Sequence, residues 1–589
     1  MLRVTRIALI SAAIGVLGVS GAGAVEPDAP QKLISRMDAV GIKIHEALAA
    51  KFKPRKRKKK NDQGTLVEFY AGRDDKPVWI TEKGLNERAL KAIAEIKQAG
   101  KYELDPNVFD VPTQEELSAG GEMSSSTLAK AELKMSYAIL KYAKYAGGGR
   151  INVSSLSKYL DRHPQIPDPV KLMTELSESD DPGKELAALH PTHPQFKLLL
   201  AALKRSRTAV PEKVIEIPEG PTLRVGDRHE QVVLLRERLK AKLPEANDDG
   251  DVDPLVFDEG LEDAVKEFQT SKGLQDDGIV GSGTRRVLNI KPADKTKTLL
   301  VNVERWRWMP RDLGRMNIQV NIPEFKFRVK VNGKIIHEER NIIGKLTNQT
   351  PVFSDVMETV VLNPYWYPTQ NIIRNEILPG ARKSGRFVSK NGFEVLSTSG
   401  TPIDPESVNW YAAGPRDFSF RQPPGASNAL GEVKFLFPNK HAVYLHDTPA
   451  KNLFNSPVRA FSHGCMRIRN PRRLAEIILG NEGWSRASVH DRINQRDNQH
   501  YSLKNKFPVH ITYFTAWANP DGSMNYYSDI YKHDQKIYAA LHGLPVPRDP
   551  IDPVAVRARE LERNLPTGEE PLIRERSRGG LFDNLFNLN

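Results

Sequence analysis

The sequence predicts a multidomain α+β protein. Three observations carry that prediction: a length of 589 residues, helical periodicity through the first half, and strand periodicity from about residue 297. At roughly 150 residues per domain, the chain holds about three or four units. It is 39% hydrophobic and 27% charged, the balance of a soluble globular protein. Lys+Arg 86 against Asp+Glu 73 gives a formal net charge of +13. Such an excess favours acidic partners: nucleic acid, anionic lipid or a carboxylate-bearing polymer. No nucleic-acid-binding module is legible, so no nucleic-acid partner is expected.

Residues 1–24 read as a secretory signal peptide. Arg3 and Arg6 precede an apolar run from Ile7 to Val19, and small residues end in Ala22-Gly23-Ala24. An uncleaved anchor is the alternative, because the run nearly reaches the roughly 18 residues that span a bilayer. Either way the body of the chain is exported. Cys465 is its one cysteine, so no internal disulfide can form and the fold rests on its core. Read alone, that thiol is as compatible with an inert buried side chain or an intermolecular bridge as with chemistry.

Residues 25–62 read as a basic linker that opens with a helix-like stretch and runs into a basic tract. Eight cations fall between Lys51 and Lys60; they repel one another and stay solvated, or meet an anionic membrane surface or acidic wall polymer. From 63 to 215 the pattern is mainly helical. Leu90, Ile93, Ala94 and Ile96 recur at helical spacing, as do Leu133, Tyr137, Leu140 and Ala143, before Gly147-Gly148-Gly149. No cluster of catalytic residue types occurs there, so scaffolding is its expected role.

Residues 221–290 read as a small module. Val232, Leu235 and Leu239 mark one amphipathic helix; Leu261, Ala264, Val265 and Phe268 mark a second. A turn at Asp277-Gly278-Ile279-Val280-Gly281 follows, and Thr284 is placed to cap a last short helix. The run Leu223-Arg-Val-Gly226-Asp227, with Phe268-Gln269, Gly273-Leu274, Asp277-Gly278 and Gly281-x-x-Thr284, resembles the three-helix peptidoglycan-binding module. That resemblance implies binding to glycan strands or stem peptides.

Residues 297–540 read as a mostly β domain. Phe325, Phe327, Val329 and Val331 alternate, Asn332-Gly333 supplies a type I′ hairpin turn, and Ile335-Ile336 opens the return strand. Met357–Leu362, Ala442–Leu445 and Val509-x-Ile511-x-Tyr513 read as further strands. Residues 380–430, rich in Pro, Gly and Ser, read as a lid insertion, and Trp306 and Trp308 as core. Residues 541–589 are charged, proline-punctuated and expected to be disordered, with Leu581-Phe582 and Leu585-Phe586 read as one apolar helical face for docking.

The segment that carries chemistry is Tyr444-Leu445-His446-Asp447-Thr448, then Phe461-Ser462-His463-Gly464-Cys465-Met466-Arg467-Ile468-Arg469-Asn470. An attacking cysteine needs an imidazole or a positive field to become thiolate. His446 ends a strand within reach of Cys465, while His463 and the arginines make the surroundings positive. Backbone amides around Gly464 and Cys465 suit an oxyanion hole. Asn470 and Pro471 are fitting N-cap and first-turn residues for a helix whose stripe is Leu474, Ile477 and Ile478 and whose stop is Gly480.

These residues resemble the YkuD-type catalytic domain of L,D-transpeptidases. Ser462-His463-Gly464-Cys465 with Arg467 and Asn470 follows His446-Asp-Thr by 19 positions. Thr350-Pro351-Val352-Phe353, Asn363-Pro364-x-Trp366, Gln422-Pro423-Pro424-Gly425 and Lys434-Phe435-x-Phe437-Pro438-Asn439 match as well. With Phe69-Tyr70, Arg73, Pro77-x-Trp79 and His193-Pro194-Gln195, the whole is similar to the large periplasmic members of Gram-negative bacteria. The resemblance implies Cys465 as nucleophile, His446 as base oriented by the Asp447 carbonyl, and His463, Gly464 and the Cys465 amide around the oxyanion. It also implies Arg467, Asn470, Ser462, Tyr444 and Trp410 as substrate contacts. Tyr367-Pro368 after Trp366 departs from the pattern and puts the acceptor-site shape in question.

The implied reaction cleaves D-alanine from a tetrapeptide stem through a thioester and passes the acyl group to an amine, a 3→3 cross-link. It needs no cofactor or metal and would be blocked by carbapenems. An L,D-carboxypeptidase, an enzyme attaching a protein to peptidoglycan, and a non-catalytic wall-binding protein are the rivals. A papain-like peptidase fits less well, because there the histidine lies far downstream of the cysteine.

Overall fold

The computed structural model describes residues 35–51, 61–118, 123–208, 215–244, 251–272, 274–289 and 294–551. The signal peptide, most of the basic tract and the tail beyond 551 lie outside these residues, as do the expectations attached to them. Among the described residues, no helix is long and apolar enough to cross a membrane.

The described chain divides into two compact units, one built from residues up to 93, 110–140 and 169–182, the other from 94–109, 141–168 and 183 onward. The first unit is helical. Its centre is a buried carboxylate, Glu132, which accepts from Tyr70 Oη (2.6 Å), Val78 N (2.7 Å) and Trp79 N (2.8 Å). Burial lifts its carboxyl to about 7. This network explains why Phe69-Tyr70 and Pro77-x-Trp79 stand out in the sequence. The expected helix faces hold in part: Ile93, Ile96, Leu140 and Ala143 are buried, but Leu90 and Tyr137 are exposed, and Ala89 and Ala92 complete the first helix's buried face.

In the second unit, helices Gln231–Leu239, Glu259–Lys272 and Ser282–Leu288 pack around Leu223, Val232, Leu235, Phe257, Leu261, Val265, Val280 and Leu288. Gln269, 1% exposed, explains the Phe268-Gln269 and Asp277-Gly278 motifs. Its amide donates to Asp277 Oδ1 and the Ile279 carbonyl, and its Oε1 accepts from Gly278 N. Thr284 is not the cap expected of it. Gly281 is the N-cap, and Thr284 Oγ1 donates to the Ile279 carbonyl from inside the helix.

The main sheet of the β region has nine strands: β1 (Met316–Asn321), β2 (Lys326–Val331), β3 (Lys334–Gly344), β4 (Ser354–Leu362), β5 (Val433–Leu436), β6 (Leu445–His446), β7 (Ala460–Ser462), β8 (Met466–Ile468) and β9 (Gln499–Thr512). Their order is β7-β3-β8-β6-β5-β4-β9-β1-β2, and a β2–β3 pairing closes the sheet on itself. Closure satisfies edges that would otherwise be open. Asn332 (φ 50°) and Gly333 (φ 77°) both adopt left-handed conformations, as a type I′ turn between β2 and β3 demands. Inward residues of the strands share one core with Leu474, Ala475, Ile478 and Leu479 of helix Pro471–Gly480, so that helix does brace the sheet. Gly480 is the helix's last residue rather than its stop; the left-handed glycine is Gly483 (φ 89°).

The insertion is larger and better built than a Pro/Gly/Ser-rich lid over 380–430. Trp366 N donates to the Gln422 carbonyl (3.0 Å) and Gln422 N to the Trp366 carbonyl (2.8 Å), which ties its two ends together. Between them Ile373, Ile377, Val388, Val395, Trp410, Phe418 and Phe420 form a separate hydrophobic core. The apolar residues are spread too sparsely along the chain for periodicity to reveal them.

Candidate active site

Strand alternation builds the site. On β6 and β8, Leu445, Met466 and Ile468 point into the core, so Tyr444, His446, Cys465 and Arg467 face the other way. The two strands run parallel with Leu445 opposite Met466 and His446 opposite Arg467, and Met466 N donates to the Tyr444 carbonyl (3.0 Å). All four outward residues line one cavity of about 470 Å³, with His463, Ser462, His441 and Glu376.

His446 is buried, and its Nδ1 hydrogen-bonds the Asp447 carbonyl. A ring that donates through Nδ1 presents Nε2 as its basic nitrogen. Burial, then the nearby Arg467 charge, push the imidazole down to about 3, so it rests neutral at neutral pH. Asp447 is itself clamped: its carboxylate accepts from Glu432 N (2.9 Å), Thr448 N (2.6 Å) and Lys451 Nζ. Gly431 (φ 57°) passes so close that only glycine fits.

Cys465 is partly exposed and its Sγ lies 3.9 Å from the Ala442 carbonyl. Burial of the sulfur raises its thiol, opposed by the amide and hydroxyl of Tyr444 and by the charges of Lys434 and Arg467. The resting pair is therefore thiol and neutral imidazole rather than an ion pair. The preceding turn is held from several sides. Gly464 (φ 117°) needs its glycine, Thr350 Oγ1 donates to the Gly464 carbonyl (2.8 Å), Ser462 Oγ donates to the Cys465 carbonyl (2.5 Å), and Gly464 N donates to Ser462 Oγ (3.2 Å). Thr350 in turn accepts from Gly344 N (2.9 Å), which is what the Thr350-Pro351 motif accomplishes.

Of the residues expected at the site, Cys465, His446, His463, Gly464, Ser462, Tyr444 and Arg467 come together, and Asp447 stands directly behind His446. Ser462 lines the cavity and also holds the turn through its hydroxyl. Asn470 does not line the cavity with Cys465: it caps helix Pro471–Gly480, accepting from Arg473 N (3.4 Å), and faces a different cleft with Asp447 and Arg472. Trp410 does not cover the cavity either. It is 4% exposed in the insertion's core, and its Nε1 donates to the Pro405 carbonyl (3.1 Å). Tyr367, which broke the expected pattern, is exposed. Among the described residues, no group of three or more His, Cys, Asp or Glu could hold a metal ion.

Two residues escaped the sequence reading. Lys434, opposite His446 in the β5–β6 pairing, lies over the Tyr444 ring (4.1 Å) with its ammonium's acidity increased by burial. A lysine between core residues Val433 and Phe435 was the available signal. Glu376 comes from the insertion and meets His463 Nε2 at 2.5 Å; nothing local in the sequence announces it.

Comparison with known families agrees with this geometry. The family model for the L,D-transpeptidase catalytic domain, YkuD, matches residues 315–511. The chain carries an L,D-transpeptidase catalytic domain. A model described as "Scaffold domain" matches residues 64–203, and one described as "Putative peptidoglycan binding domain" matches 228–288. A Haemophilus influenzae protein named "Putative L,D-transpeptidase" is 33% identical over 251 residues, 42% of this chain and 50% of the relative. The chain thus matches about half the length of that curated relative. Among solved structures, an L,D-transpeptidase from Mycobacterium smegmatis is 13% identical, covers 34% of this chain and 59% of its own, and superposes with a TM-score of 0.16. A mutant L,D-transpeptidase from Enterococcus faecium is 12% identical with a TM-score of 0.14, covering 47% of this chain and 89% of its own. At those scores the superpositions decide nothing.

Proposed function

We propose that this chain is an L,D-transpeptidase of the cell envelope that acts on peptidoglycan through Cys465. What supports the reading above all is the cavity in which Cys465, the neutral His446 and Arg467 converge, with His446 Nδ1 tied to the Asp447 carbonyl. Cys465 Sγ attacks the carbonyl of the diaminopimelate L-centre in a tetrapeptide stem as its proton passes to His446 Nε2. His446 returns that proton to the departing D-alanine nitrogen, leaving a thioester. An amine on a second stem then takes the acyl group and restores the thiol.

The Gly464 amide is already spent on Ser462 Oγ, so the Cys465 amide, with His463 beside it, is the candidate donor to the oxyanion. Arg467 suits the stem's carboxylates. The signal-like residues 1–24 support export to the periplasm, and the peptidoglycan-binding match at 228–288 supports a hold on the same polymer. The domain division 63–215, 221–290 and 297–540 belongs to this reading, as does acylation of Cys465 by a carbapenem.

The test incubates the protein and its Cys465→Ala variant with disaccharide-tetrapeptide and reads products by mass spectrometry. A dimer lighter by one D-alanine, absent from the variant, is the expected result. Tripeptide without dimer would make water the acceptor. No acyl-enzyme, and no carbapenem adduct on the folded protein, would overturn the catalytic assignment.

A further inference from the structure

The acceptor half-reaction has a requirement that Cys465 and His446 do not meet. An amine arrives at neutral pH as an ammonium, which must be attracted and must lose a proton before its nitrogen can attack. The cavity around Cys465 is otherwise basic or neutral, lined by Arg467, His463, His446 and His441; Glu376 is the one carboxylate among its described lining residues. We propose that Glu376 is the residue that selects an amine as acceptor, its carboxylate receiving the ammonium and setting it over the thioester. This rests on the transpeptidase reading above.

Three observations carry the inference. Glu376 stands on a π-helical turn, Ile373–Ile377, set between helical segments Gln370–Ile372 and Leu378–Lys383; such turns are rare and recur at functional sites. Its side chain is about half exposed, open to an incoming group. Its present partners are both cations or potential cations, His463 at 2.5 Å and Lys345 at 3.9 Å, so it already occupies the position of an ammonium receptor. The His463 hydrogen bond also keeps its carboxyl below the usual range, and so ionised.

The step balances. The ammonium gives one proton to solvent by way of the Glu376 carboxylate. The free amine nitrogen bonds to the thioester carbonyl carbon, the C–S bond breaks, and the nitrogen's surplus proton passes through His446 to the leaving Cys465 sulfur. Thioester and ammonium thus become amide, thiol and one released proton.

A latch between the insertion and the sheet would use the same ion pair, so the experiment must separate the two. The full-length protein, Glu376→Gln and Glu376→Asp are acylated with disaccharide-tetrapeptide, and acylation is followed by intact mass. The acyl-enzyme is then offered glycinamide, an ammonium at neutral pH, or hydroxylamine, which is uncharged there. Glu376→Gln is expected to raise the KM for glycinamide about tenfold or more, the weight of one charge-assisted contact, with Glu376→Asp recovering part of it. Its hydroxylamine KM is expected to stay within about twofold of the unsubstituted protein. Equal losses with both amines, or slowed acylation, would make Glu376 a latch and overturn the proposal, as would no change with either. Failure of the unsubstituted protein to form any acyl-enzyme would remove the transpeptidase reading itself, and this inference with it.

Discussion

Replacing Gly431 with alanine tests how His446 is held without touching either member of the candidate pair. A Cβ there would stand 2.2 Å from Asp447 Oδ2, and real Cβ contacts do not fall below 3.0 Å. The carboxylate must therefore retreat by at least 0.8 Å, the difference between those distances. That retreat loosens its contacts with Glu432 N, Thr448 N and Lys451 Nζ. Hydrogen bonds to charged groups are worth about 1.5–3 kcal/mol each when lost, and a left-handed φ costs a non-glycine residue about 1 kcal/mol more. Partial compensation leaves an expected destabilisation of about 2–4 kcal/mol. The Asp447 carbonyl moves with its side chain and carries the imidazole along, and a displacement near 1 Å can cost about 100-fold in rate. The assay pairs urea unfolding with the rate of Cys465 acylation read by intact mass. Full-rate acylation by a folded Gly431→Ala protein would refute the claim that the Asp447 clamp positions His446.

Further predictions concern charge and packing. His190, His446 and His510 are buried and held by that burial to about 2, about 3 and about 4, and burial also depresses His533. Their folded values lie below the unfolded value of about 6.5, so the unfolded chain binds protons first and stability falls as pH drops below it. Between pH 7 and pH 5.5 the four together predict a loss of about 5 kcal/mol. Hydrogen exchange in the nine-stranded sheet should show it; Glu132, titrating with the opposite sign, lies in the other compact unit. Unchanged protection at the lower pH would sink this account. Because the Cys465 thiol is raised by burial, its alkylation by iodoacetamide should keep accelerating through alkaline pH, and a rate flat from neutral pH upward would mean a preformed thiolate. Phe420→Ala empties the insertion's own core and should cost it about 3–5 kcal/mol, exposing residues 367–421 to protease while the sheet persists; simultaneous loss of both would contradict a separate core.

How far the sequence reaches depends on how local the determining physics is. The β2–β3 hairpin was legible because alternation and Asn332-Gly333 are adjacent signals. So was the candidate pair, because two strands that bury Leu445 and Met466 must turn His446 and Cys465 outward together. The helix face at Leu90 was misjudged because Ala89 and Ala92 bury a face with side chains too small to register as hydrophobic. Trp410 was misplaced for the opposite reason: a large aromatic in a polar stretch looks like a surface contact until Phe418, Phe420 and Val395 gather around it. Closure of the sheet through β2 and β3, and the arrival of Glu376 beside His463, depend on contacts far apart along the chain. No local pattern encodes them.

The paired amides of Trp366 and Gln422 bring the insertion's entry and exit to a hairpin's separation. From the sheet's side, everything hung between them occupies one turn. Such a joint makes the segment exchangeable: it can lengthen, shrink or be replaced without changing a single strand pairing in the barrel. Grafting a different insertion at these two residues should therefore alter what reaches Cys465 while leaving the thiol and its histidine as they are. Evolution and protein engineering have the same handle here, a place where the surroundings of Cys465 can be varied without rebuilding the sheet that holds it.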